Sequence, residues 1–185
     1  MKALGISGSG RVDGNTAALV SAVLKGLAKR GAQTALLQLG AMQVAGCNSC
    51  RACKRDHVCV IQDDMYRFYD MAPQTDVIVL GSPIYLDHVT AQMKAFIDRL
   101  YCYLGPNLEN CYPNKNARAV LGITYGAGGE HTYDYVTEWM RERLKGYFDL
   151  ETVGALTLHS AGPKPIVGGD HPVIRKAYEL GRSLT

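Results

Sequence analysis

Residues 76–82 read "DVIVLGS", four apolar side chains in a row between an acid and a Gly-Ser pair. A strand with one face in solvent alternates apolar and polar positions, whereas a strand covered by helices on both faces is apolar throughout. The stretch therefore predicts a central strand of a parallel sheet, and parallel neighbours require helical crossovers. Both flanks supply them. Upstream, residues 63–72 ("DDMYRFYDMA") predict a helix opened by Asp63 or Asp64 as N-cap. Downstream, residues 89–104 predict a helix capped by Thr90.

Working outward, residues 2–7 ("KALGIS"), 33–39 ("QTALLQL"), 118–124 ("RAVLGIT") and 151–159 ("ETVGALTLH") predict four more strands. Helices are expected over 15–30, 131–147 and 172–183. The first places Ala18, Leu19, Val20, Val23, Leu24 and Leu27 on one face. Alternation of this kind gives the α/β class: a flavodoxin-like three-layer sandwich around a five-stranded parallel sheet of order 2-1-3-4-5. A single domain over residues 1–185 is expected, a length that buries about 70% of the unfolded surface.

Composition narrows the partners. Hydrophobic residues make up 47% of the chain and charged ones 20%, as in ordinary globular proteins. A net charge of +3 with no Lys/Arg block argues against nucleic acid and against a membrane surface. No apolar run approaches the ~20 residues that span a bilayer. The opening "MKALGISGSG" starts a strand and lacks the features of a signal peptide, so a cytoplasmic protein is expected. Thiols there stay reduced, which argues against a disulfide framework for the run of four cysteines between residues 47 and 59.

In a doubly wound sheet the ligand lies beyond the carboxyl ends of the strands, here the loops at 7–16, 82–88 and 125–131. The first reads "SGSGRVDGNT". Ser7, Ser9 and Thr16 offer hydroxyls, Arg11 a charge-assisted bond, and the following helix its positive end, a set that suits a phosphate. A Walker A loop needs a lysine that is missing before Thr16. A dinucleotide fingerprint needs G-x-G-x-x-G and an acid closing the second strand; Gly8, Gly10 and Gly14 are spaced otherwise, and "QLGAMQ" has no acid. A terminal monophosphate fits best. Ser82-Pro83 ends a buried strand, Tyr85 offers an aromatic face, and "TYGAGG" (124–129) is small enough for a planar ring to approach.

The long loop over residues 39–62 carries Cys47, Cys50, Cys53 and Cys59 as C-x2-C-x2-C-x5-C. Three readings stand. Zinc usually draws on two knuckles with a long spacer; the compact run matches ligation of a 4Fe–4S cluster; redox-active or unused thiols are the third. Arg51, Lys54 and Arg55 lie alongside to balance a cluster's negative charge, and His57 is a candidate substitute ligand. Cys102 and Cys111 have no ligand spacing. Asp87 and His88 read as a solvated pair or a proton relay. Tyr101, Tyr103, Tyr112, Tyr133, Tyr135 and Trp139 read as core or subunit interface.

"SGSGRVDGNT" resembles the SGSPRxxGNT loop of the NADPH-dependent FMN reductase family. "VIVLGSPIYLDHVTAQMKAFIDRL" (77–100) is similar to that family's SPxY segment and its K-x-F-x-D-R helix. The cysteine run followed by "VIQDDM" resembles the iron–sulfur flavoprotein branch. The likeness is close over residues 1–100 and looser over 118–160, and Gly10 stands where the family often has proline. It implies that Ser7, Ser9, Arg11, Asn15 and Thr16 hold an FMN phosphate. It further implies that Ser82, Pro83, Ile84 and Tyr85 lie along the isoalloxazine, with Thr124, Tyr125, Gly126, Ala127 and Gly128 at its other edge.

The expected function is electron transfer between a 4Fe–4S cluster on the four cysteines and FMN, to a small acceptor. A one-electron donor protein such as ferredoxin, or NAD(P)H, would supply electrons, and the resemblance implies a homodimer or homotetramer. Because the cysteine loop follows the outer strand, cluster and own flavin are expected to be well separated, with transfer across a subunit interface. The alternatives are an NAD(P)H-dependent FMN or quinone reductase with structural cysteines, and a non-enzymatic electron carrier or redox sensor. No acid–base residue is nominated.

Overall fold

Five strands run parallel through the middle of the protein. They are β1 (Lys2–Ser7), β2 (Gln33–Gln38), β3 (Val77–Tyr85), β5 (Arg118–Thr124) and β6 (Glu151–Leu158), in the order β2-β1-β3-β5-β6. The computed structural model describes residues 1–162 and 171–184. The parallel order is the expected 2-1-3-4-5; β4 (His88–Val89) is an additional two-residue strand antiparallel to β3. The helices are α1 (Asn15–Lys29), α2 (Tyr66–Met71), α3 (Ala91–Arg99), α4 (Asp134–Phe148) and α5 (Pro172–Ser183).

Strand side chains alternate between two cores, which is why the central strands have no polar face. Leu4, Ile6, Ile78, Leu80, Leu121 and Ile123 pack with Phe68, Met93, Phe96, Met140 and Leu144 of α2, α3 and α4. Ala3, Val77, Val79, Val120, Leu156 and Leu158 pack with Leu19, Val23, Leu27, Ile174 and Ala177 of α1 and α5. Phe68 and Phe96 meet edge to face at 4.8 Å, worth about 1 kcal/mol beyond the area they bury. On the other face, a Cβ at Gly26 would lie 2.1 Å from the Tyr178 carbonyl, so α1 and α5 touch backbone to backbone.

Three local expectations are corrected. The helix predicted over 63–72 begins at Tyr66 with Met65 at the N-cap, so neither Asp63 nor Asp64 caps it; their carboxylates accept from Gln43 and Ala45 N–H of the cysteine loop, and Asp63 also from Met65 N–H. The helix over 89–104, capped by Thr90 as expected, tightens into a 3-10 turn at Leu100–Tyr103. β3 does not stop at Ser82 but runs through Pro83 to Tyr85, then reverses at Leu86 and Asp87, whose φ angles are 45° and 66°. Pro83 is tolerated because β1 has already ended: its last partner on β3 is Gly81, so the missing N–H costs no ladder bond on that side. The register Ser7↔Gly81 and Pro83↔Thr124 brings the carboxyl ends of β1, β3 and β5 level.

Candidate functional site

At that level edge the three predicted loops meet around a cleft of about 130 Å³. Ser9, Arg11, Asn15, Thr16, Pro83, Ile84, Tyr85, Thr124, Tyr125 and Gly126 line it. The strand–helix turn is held tightly. Gly8 N–H donates to the Gly81 carbonyl at 2.7 Å, and the Thr90 hydroxyl donates to the Gly8 carbonyl at 2.6 Å. Thr90 also accepts from Met93 N–H at 3.1 Å, so the residue that caps α3 fixes the loop as well. A Cβ at Gly8 would sit 2.7 Å from Met93 Cβ.

Part of this turn's polar set has no acceptor within the fold. α1 starts behind Gly14 with no side-chain cap and no acid in its first turn, leaving first-turn N–H groups without helical acceptors. The Ser7 hydroxyl is wholly buried and has no hydrogen-bond partner. Ser9 Oγ accepts from Arg11 N–H at 3.0 Å, and the Thr16 and Thr124 hydroxyls pair at 2.7 Å. Unsatisfied buried polar groups are costly. An oxyanion at the start of α1 would satisfy several of these donors together.

Other predicted residues have different surroundings. Ser82 is buried; its hydroxyl donates to the Pro83 carbonyl and accepts from Thr90 N–H, so it braces the turn. Ala127 and Gly128 lie exposed in the 125–131 loop, where Gly128 takes a φ of 100°. That loop is pinned by the buried Tyr125, whose hydroxyl points to the carbonyls of Gly129 and Glu130 at 2.8 Å. Asp87 accepts from the Tyr133 hydroxyl at 2.9 Å, and His88 meets the Trp139 ring at 4.7 Å, so neither stands as an open relay.

Sequence reasoning missed Gly14, Ala161 and Gly162, which complete the cleft. Asn15 Nδ2 donates to the Gly162 carbonyl at 3.1 Å, and Ala161 N–H to the Tyr125 carbonyl at 2.9 Å. The available clue was position: residues 160–162 follow another parallel strand at the same edge.

The cysteine loop occupies different ground. It leaves β2 beside the first loop, where a Cβ on Gly40 would sit 2.5 Å from the Ser9 carbonyl. It then runs under α3 to that helix's far end. Lys54 Nζ donates to the carbonyls of Tyr101 and Leu104 at 2.9 and 2.6 Å, and His57 Nδ1 lies 3.3 Å from the Cys102 carbonyl. Nine residues of α3 separate this end from the first loop, about 14 Å of helix. Tyr101 and Trp139 line a larger groove of about 460 Å³ between α3 and α4, which Cys47 and Ser49 border. Tyr103 and Tyr112 are core.

Cys47 and Cys50 are exposed, Cys53 and Cys59 buried, and all six cysteines are free thiols. Among the described residues no three His, Cys, Asp or Glu side chains converge as a metal-holding group. Burial pushes the Cys53 thiol up, with Lys54 opposing. Burial also pushes Cys102 up to about 12, leaving about one thiolate in ten thousand at pH 8. In reduced, metal-free protein at pH 8, Ellman's reagent should therefore take Cys47 and Cys50 first and Cys102 last. A Cys102 rate equal to that of Cys47 would contradict its burial. Because its folded pKa is raised, Cys102 costs the fold nothing below the ordinary thiol range and destabilises it as pH climbs toward 12.

Comparisons with known proteins bear on the family and the fold. Residues 1–165 match the NADPH-dependent FMN reductase family. The chain is 33% identical over 141 residues to an iron–sulfur flavoprotein of Methanosarcina thermophila, covering 76% of this chain and 73% of that protein. It is 39% identical over 99 residues to an iron–sulfur flavoprotein of Methanocaldococcus jannaschii, 54% of this chain and 51% of the relative, so that match spans about half the relative's length. Among solved structures, an NAD(P)H:quinone oxidoreductase from Methanothermobacter marburgensis superposes with a TM-score of 0.71 over 99% of this chain and 96% of its own. At 15% identity that likeness concerns the fold alone.

Proposed function

The chain belongs to the NADPH-dependent FMN reductase family, in its iron–sulfur flavoprotein branch, and from that membership we propose that this flavin-dependent oxidoreductase passes electrons between a 4Fe–4S cluster and FMN. The small cleft suits the FMN phosphate. Ser7, Ser9, Arg11, Asn15 and Thr16 would bind it with the first-turn N–H groups of α1. Pro83, Ile84 and Tyr85 on one side, and Thr124, Tyr125 and Gly126 on the other, would hold the ring. Ser82 would act through its brace on the turn.

The observation that carries the cluster half is the loop itself: four thiols, two of them buried, with Lys54 and Arg99 close by. This donor set suits a thiolate-ligated cluster. Ligation asks the four thiols to draw together, since among the described residues they do not converge as a metal-holding group. A cluster of this kind moves one electron at a time, whereas flavin accepts one or two. The chain's own contribution is to bind, orient and keep both groups in place.

Iron and acid-labile sulfide per FMN, in protein purified without oxygen, test the reading. About four of each per FMN is the expected result for a 4Fe–4S cluster. That no thiol group converges among the described residues favours a second reading, an NAD(P)H-dependent reductase in which the thiols hold nothing. FMN without iron after anaerobic reconstitution, reduced by NADPH at catalytic rates, would establish that instead. The electron donor, the acceptor and a homo-oligomer remain part of the proposal.

A further inference from the structure

The Arg99 side chain is completely buried, yet it does not touch the cleft. From the C-terminal end of α3 it reaches both stems of the cysteine loop. Nη1 donates to Asp63 Oδ2 at 2.6 Å and to the Ala45 carbonyl at 3.0 Å. Nη2 donates to Asp63 Oδ1 at 3.1 Å and to the Ile61 carbonyl at 3.3 Å. The Asp63 carboxylate in turn accepts from Ala45 N–H at 2.9 Å and Met65 N–H at 3.0 Å. Next to it, Asp64 and Gln43 exchange two bonds, at 2.8 and 3.0 Å. Ala45 lies two residues before Cys47, and Ile61 two residues after Cys59.

A buried ion pair is a poor way to gain stability, because apolar packing of similar volume usually does as well or better. What apolar side chains could not do is hold peptide groups from two separate stems in a fixed relation. We infer that Asp63 and Arg99 are a positioning pair: they clamp the base of the cysteine loop, so that only residues 46–60 have to move when the thiols take up their ligand. Arg99 also lies within electrostatic reach of Cys59 and adds positive charge beside it. The inference rests on the cluster reading for its ligand, but not for the clamp.

The test uses the full chain, purified without oxygen, as wild type, Arg99→Gln, Arg99→Lys and the double variant Arg99→Met/Asp63→Asn. FMN per chain, iron per FMN and the rate of tryptic cleavage after Arg51, Lys54 and Arg55 are measured. Each hydrogen bond from a charged donor shifts a local opening equilibrium about tenfold. Arg99→Gln and the double variant should therefore be cleaved at least about tenfold faster and lose most of their iron, with FMN retained. Arg99→Lys, which keeps the charge without the fork, should fall between. Should Arg99→Gln fail to fold, the double variant, with no uncompensated buried charge, decides.

A folded double variant with wild-type iron and an intact loop would overturn the inference. So would failure of both variants to fold, which would make the pair a requirement of the whole fold. If the wild type itself carries no iron, the cluster reading fails and the cleavage rates alone judge the clamp.

Discussion

Replacing Gly8 with alanine should weaken FMN binding at least about tenfold while leaving the protein folded, because one methyl group has nowhere to go. The new Cβ would meet Met93 Cβ at 2.7 Å and the Gly81 carbonyl at 3.2 Å. Met93 cannot swing aside, since the contact is at the base of its side chain and Thr90 anchors that turn of α3. The loop must then rise off β3, breaking the bonds from Gly8 to Gly81 and from Thr90 to Gly8, and the donors around Ser7 and Thr16 lose their arrangement. Gly10→Ala is the matched control: its Cβ would find only the Gln92 side-chain nitrogen at 3.6 Å, an ordinary contact. Fluorescence titration of flavin-free protein with FMN compares the two. Equal affinities, or a larger loss at Gly10, would show that the turn's tight seat on α3 does not shape the cleft.

That contrast marks what a sequence can carry. Gly8, Gly10 and Gly14 look alike as letters, and their spacing excludes a dinucleotide fingerprint without saying which of them is sterically committed. The answer lies in Met93, far along the chain and silent in any local pattern. Strand positions were legible because burial on both faces imposes unbroken apolar runs such as Val77–Leu80, and the order of the sheet followed from handed crossovers. The start of α2 was misread because Asp63 carries the right residue type for a cap while its carboxylate is claimed by Arg99. The same carboxylate serves both demands: it accepts from Met65 N–H at the entry to α2 and also takes Arg99 and Ala45 N–H.

The cleft shows the same division. Its first loop could be read from hydroxyls and glycines that precede a helix. Ala161 and Gly162 could not, because small residues after an edge strand have no chemistry of their own and matter only for where β6 delivers them. Ser82 errs the other way: a hydroxyl at the correct edge of the sheet, yet turned inward to hold Thr90 and Pro83.

The cysteine loop separates spacing from burial, and that separation yields the sharpest expected result. Cys59 and Cys102 are both buried free thiols, 8% and 2% exposed, and burial alone makes them equivalent. The run C-x2-C-x2-C-x5-C includes the first and omits the second. Truncating each to alanine removes the same atom from a similar setting, so each variant should lose about 1 kcal/mol of stability. Under the cluster reading their iron contents should differ sharply. Cys59→Ala should hold at least about tenfold less iron per FMN than wild type, since a missing ligand removes a direct bond to the cluster. Cys102→Ala should hold the wild-type amount, and both should keep FMN, whose cleft neither residue lines. Iron and sulfide analysis alongside thermal unfolding separates loss of a ligand from loss of packing. Iron unchanged in Cys59→Ala would remove that residue from the ligand set. Iron lost only in Cys102→Ala would move the centre deeper into the core beneath α3, where Cys102 lies within electrostatic reach of Cys53 and Cys59.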